Sequence, residues 1–97
     1  MNLNLNYEGF EDYLVYMKPK NGGIQYQFRF DNNYGASVIK GPYSYGGDRD
    51  LWELAVISWD RGEYEIRYDT DITSDVEGYL EDEEVRDLLK QIKELKK

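Results

Sequence analysis

Residues 51–59, LWELAVISW, carry apolar side chains on both parities of one extended run: Trp52, Leu54 and Val56 on one, Leu51, Ala55, Ile57 and Trp59 on the other. A segment of that length, rich in β-branched and aromatic residues and bounded by Gly46-Gly47 and Asp60-Arg61-Gly62, has the pattern of a strand covered on both faces. It is expected at the centre of a sheet. The rest of the chain must then supply two covers. A helix is expected over one face, and the N-terminal residues, a tyrosine loop or a second copy of the chain over the other.

The neighbouring segments fit that plan. Residues 1–9 alternate Asn with Leu3, Leu5 and Tyr7, as an edge strand or a frayed end would. Residues 10–17 form a first strand, ended by a turn over the KPKNGG run at 18–23. In 24–30, Ile24, Tyr26, Phe28 and Phe30 face one way and Gln25, Gln27 and Arg29 the other, the alternation of a half-buried strand. Asp31-Asn32-Asn33 tolerates positive φ and returns the chain as a hairpin into 34–40. The small residues Gly35, Ala36 and Ser37 permit a helix or a large aromatic ring to approach closely. Residues 41–50 are a glycine-rich connection displaying Tyr43 and Tyr45.

After the central run, 63–71 reads as a strand with Tyr64, Ile66 and Tyr68 inward and Glu63, Glu65, Arg67, Asp69 and Asp71 outward. Thr73-Ser74-Asp75 is expected to cap a short turn bearing Val76, Tyr79 and Leu80. The period then changes: Val85, Leu88, Leu89, Ile92 and Leu95 make one helical stripe, with acids in the first turn and lysines towards the end, complementing the helix dipole. The expected fold is a single α+β domain over 1–97, an antiparallel β-meander of four to five strands with a C-terminal α-helix packed on one face.

Composition narrows the chemistry. The 97 residues include no cysteine and no histidine, so a disulfide framework, a thiolate zinc site and the usual general base are all excluded. No apolar run reaches the roughly 18–20 residues of a membrane-spanning helix, and MNLNLNYEG lacks the basic start and apolar core of a signal peptide. A cytoplasmic protein with no cofactor is expected. No nucleophile–base set and no phosphate-cradling loop stands out, so binding is expected rather than catalysis. Asp69-Thr70-Asp71 opens like a calcium loop, but Ser74 and Leu80 stand where glycine and a bidentate glutamate are wanted. Ten tyrosines could stack bases, yet the lysines and arginines form no track to hold the backbone.

The formal charge of −8 is concentrated: residues 60–87 hold twelve acids and three bases. Alternate strand positions stand about 6.6 Å apart. Glu63, Glu65, Asp69 and Asp71 are therefore expected in a row of carboxylates, extended by Asp75, Glu77, Glu81, Asp82, Glu83 and Glu84. Such a row can stand in for a phosphate backbone against a basic groove, while repelling free nucleic acid and anionic membrane. The plainer alternative is a solvated outer strand and an ordinary helix start. Tyr43 and Tyr45 are either contact residues on a flexible loop or rings folded back on the core.

The combination of Tyr34-Gly35-Ala36-Ser37-Val38-Ile39, Tyr45-Gly46-Gly47, Leu51-Trp52-Glu53-Leu54-Ala55-Val56 and Tyr68-Asp69-Thr70-x-Ile72-Thr73-x-Asp75-Val76-x-Gly78-x-Leu80 resembles a group of small bacteriophage and prophage proteins, over roughly residues 24–95. At position 81, where that group suggests threonine, this chain has Glu81. The group carries no assigned activity, so the resemblance implies a phage setting and no mechanism. The expectation from the residues is an acidic inhibitor that occupies the basic surface of a host or phage nucleic-acid-handling protein. The alternative is an accessory or assembly protein acting through sheet edges or as a homodimer.

Overall fold

Two short hairpins begin the sheet. In the computed structural model, which describes residues 1–72 and 76–96, β1 (Leu14–Lys20) and β2 (Gly23–Arg29) are joined across Asn21 and Gly22, both at positive φ (48° and 83°). That pair of conformations suits the twist of a two-residue hairpin. The turn is shorter than the KPKNGG run implied, because Lys18, Pro19 and Lys20 stay in β1. Proline is tolerated there because β1 lies at the sheet edge, where a missing N–H breaks no ladder. β3 (Tyr34–Lys40) returns as expected, and β4 (Trp52–Asp60) occupies the double-parity run.

A second tight turn, Arg61 and Gly62 at φ 54° and 83°, leads into β5 (Glu63–Ile66). This strand stops well short of residue 71. Arg67 donates from Nε and Nη2 to the two carboxylate oxygens of Asp69 at 2.9 and 2.6 Å, a bidentate closure between side chains that an extended strand holds farther apart. Glu77–Leu80, expected to be a turn, is instead a strand, β6, paired with β4 through Trp52↔Leu80 and Leu54↔Glu77. Thr73, Ser74 and Asp75, expected to cap that turn, lie outside the described residues.

The sheet order is β1-β2-β3-β4-β5, antiparallel throughout, with β6 also on β4. β5 pairs with the last residues of β4 and β6 with its first, so the two short strands follow one another along a single side of β4. Helix α1 (Asp82–Lys93) crosses one face. Val85, Leu89 and Ile92 are fully buried against Tyr26, Phe28, Ala36, Val38, Trp52, Leu54 and Val56. Each such side chain contributes about 1.5–3 kcal/mol through burial. The class is α+β, as expected.

Residues 1–9 form no strand and are not loose. Leu5 is buried, its N–H donates to Tyr26 Oη and Tyr26 Oη donates to Leu3 O, while Tyr7 packs on Tyr26 and Phe28. This segment therefore lies on the helix face, beside α1, and does not cover the other side of β4.

That other side is covered by curvature. A flat five-stranded sheet would hold its outer strands roughly 19 Å apart. Here Val15 and Tyr16 of β1 line one groove together with Glu63 and Tyr64 of β5. Curling buries Gln25, Gln27, Ser37, Ala55 and Ile57 on the concave face.

Candidate protein-binding surfaces

Two surfaces stand out, an acidic edge and the concave groove. All four residues of β5 are exposed, Glu63 and Glu65 among them, and the exposed Asp60 ends β4 opposite Glu63. The exposed Asp71 follows, then Glu77 on β6 and Glu81, Glu83 and Glu84 at the helix start. The curled sheet thus gathers the acidic third of the chain along the outer side of β4. It does so with an interruption, since only Glu63 and Glu65 keep strand spacing and Asp69 is committed to Arg67, which holds its carboxyl below the usual range. Asp75 lies outside the described residues.

Some of these acids have structural partners. Asp82 accepts from Trp52 Nε1 at 2.7 Å and from the Asn6 N–H at 3.0 Å, tying the helix start to β4 and the N-terminal segment. Glu84 accepts from the Glu81 N–H at 3.1 Å and the Glu81 side chain accepts from the Glu84 N–H, which together make a capping box. Among the described residues, Asp60, Glu63, Glu65, Asp71, Glu77 and Glu83 are exposed carboxylates on this edge without such a task.

Tyr43 is 88% exposed and Tyr45 62%, so neither ring caps the core. Their loop is nevertheless anchored. Tyr45 N–H donates to Glu53 Oε1, Tyr79 N–H donates to Tyr45 O, and Lys40 Nζ binds Asp50 Oδ1 and Asn2 O while lying 4.3 Å from the centre of the Trp52 ring. Tyr45 lies against β6 at Gly78 and Tyr79, and so beside Glu77 rather than beside the acids of β5.

The groove was not anticipated as a site. Its wall is Trp59, whose ring crosses β3 over Gly35 to reach the Arg29 guanidinium, 5.3 Å from the ring centre. Gly35 makes this path possible: a Cβ there would stand 2.6 Å from Trp59 Cζ3. Arg29 is further held by Asn33 Oδ1 at 2.9 Å. On the floor, Gln25 donates to Ser37 Oγ at 2.7 Å and accepts from Tyr16 Oη. Gln27, two residues along and only 1% exposed, has an Nε2 with no partner. Burial, and secondarily Tyr64, raise the Tyr16 phenol above its ordinary range.

No protein-family model, curated protein or solved structure matches this chain. The groove has about 550 Å³ near Tyr16 and Tyr64 and continues past Val15, Arg29 and Trp59 into a wider part of about 800 Å³ lined by Asn32, Ser58, Glu65 and Arg67. The sequence signals were present in part: small residues at 35–37 permitted a helix or a ring to approach closely, but nothing local chose the ring, identified it as Trp59 or marked Gln27 as buried.

Proposed function

We propose that this protein is a non-enzymatic binding protein that docks its acidic edge onto a basic surface of a nucleic-acid-handling protein and so competes with nucleic acid for it. The observation that carries this reading is the exposure of β5 on both faces, with the carboxylates of Glu63 and Glu65 continued by Glu77 and Glu83 along the same side of the sheet. Exposed Tyr64, Ile66 and Tyr68 beside them supply apolar contact area that a merely solvated strand does not need. The sequence resemblance to phage proteins makes a host-cell cytoplasmic partner the natural setting.

The test is capture of a partner from bacterial extract by the immobilised protein, followed by elution with salt and with double-stranded DNA. Both should release the partner, because the contact is electrostatic and the DNA seeks the same surface. Retention through high salt, or indifference to DNA, would refute the reading. A second reading, self-association through sheet edges, is favoured by the exposure of Val15 and Met17 on the outer strand β1. Sedimentation showing a monomer at high protein concentration would remove it.

A further inference from the structure

Among the described residues, β1 pairs only with β2 and β5 only with β4, so each presents an unpaired main-chain edge. Curling brings these two edges to the same groove. Between them lies a floor with an orphaned polar group, Gln27 Nε2, beside Gln25, whose amide donates to Ser37 and accepts from Tyr16. A buried amide donor without an acceptor is unfavourable in the free protein and calls for an explanation.

We infer that the gap between β1 and β5 is a peptide-binding groove, which takes an extended basic-and-apolar segment of the partner as an added strand with a main-chain carbonyl lowered onto Gln27. The inference rests on the acidic-edge reading for the sign of the partner's charge and goes beyond it in naming the mode of attachment. Three features select a peptide strand over a compact small molecule. The groove is long, running from Tyr16 and Tyr64 to Asn32 and Arg67. Both rims offer main-chain groups, the requirement for strand addition. Its apolar contacts, Val15, Trp59 and Tyr64, line a trough that is open to solvent and does not enclose a compact ligand. Charge selects the sequence class: Asp60 at the end of β4 and Glu63 and Glu65 on β5 stand on one rim, while the groove arginines are engaged within the protein, Arg29 with Asn33 and the Trp59 ring and Arg67 with Asp69, so lysine or arginine side chains leaving the added strand on that side meet carboxylates.

The test uses two capped heptapeptides, one alternating lysine with valine and one alternating serine with valine, titrated into the ¹⁵N-labelled protein. With the lysine peptide, the Gln27 side-chain amide and the Trp59 indole N–H should shift, and main-chain amides on the outer edges of β1 and β5 should exchange more slowly. Gln27→Met should weaken that binding by up to about tenfold, and Tyr64→Ala, at an exposed site, should weaken it without affecting folding. If the serine peptide binds in the groove equally well, the groove is upheld and the acidic-edge reading fails. If the lysine peptide shifts only residues outside the groove, such as Glu77 and Glu83, the groove is overturned while the acidic edge stands. Absence of any shift with both peptides, or unchanged affinity in both variants, overturns the groove outright.

Discussion

A methyl group at Gly35 would collide with the Phe28 carbonyl oxygen and press on the Trp59 ring, so this one position couples the hairpin backbone to the groove wall. Gly35→Ala is expected to destabilise the fold by about 3 kcal/mol in urea unfolding, at the upper end for overpacking because backbone must move. Trp59 emission should shift to the red as its ring is lifted off β3. Gln27→Met makes the opposite prediction, a gain of about 1 kcal/mol, since it removes a buried donor that has no acceptor. Asp50 illustrates a pH effect. Its carboxyl is held below the ordinary range, first by the Asn2 N–H and then by Lys40. Because the folded value is the lower one, its contribution is present above the ordinary carboxyl range and is lost as pH falls through the folded value. Protection of the Asn2 amide, taken relative to the intrinsic exchange rate at each pH, should fall on that acid side; protection unchanged down to the acid-unfolding limit would contradict the assignment. Residue types alone anticipated the close approach at Gly35. They could not show that Gln27, on the polar parity of an alternating strand, is buried, because its burial comes from a curl between strands distant in sequence.

At the scale of elements, the helix was the most legible feature and β6 the least. Val85, Leu89 and Ile92 lie buried where the 3.6-residue period put them, so Leu89→Ala should cost about 2–5 kcal/mol by urea unfolding. The C-terminal end of α1 is closed by a residue far away in sequence: Asn32 Nδ2 donates to the carbonyls of Ile92, Lys93 and Leu95. That role was hidden behind the ordinary use of asparagine in a hairpin turn. At the other end Glu81 occupies the N-cap position, where a shorter hydroxyl side chain satisfies the first-turn amides better. Glu81→Thr should therefore raise stability by about 0.5–1 kcal/mol and leave the Asp82–Trp52 bond intact, visible as an unchanged Trp52 indole N–H resonance. β6 escaped because Glu77-Gly78-Tyr79-Leu80 shows no clean alternation and Tyr79 takes a positive φ of 57°. It pairs because Gly78 lets the Tyr45 loop lie directly against it, a contact no local pattern encodes.

For the whole molecule, the question is whether its acidity acts as a general field or through one edge. Helix α1 runs from the acidic Glu81–Glu84 end, tied to Trp52 and Asn6, to the lysine-bearing end held by Asn32, so charge is polarised along the molecule as well as across it. A general field would speed association with any basic partner in proportion to net charge. An edge would do so only where the carboxylates are arrayed. Two triple variants with the same net charge separate these cases: Glu63→Lys, Glu65→Lys and Glu77→Lys on the edge, and Glu8→Lys, Asp12→Lys and Asp48→Lys elsewhere, all six positions exposed. Stopped-flow association with the captured partner should slow by at least about tenfold for the edge variant, with loss of most of its salt dependence, and change only a few-fold for the other. Circular dichroism should show both variants folded, since exposed substitutions of this kind shift stability by about 0.5 kcal/mol or less. Equal slowing in the two would mean that the acids act collectively through the long-range field, and the arrangement of β5 and β6 along β4 would then have no part in partner choice.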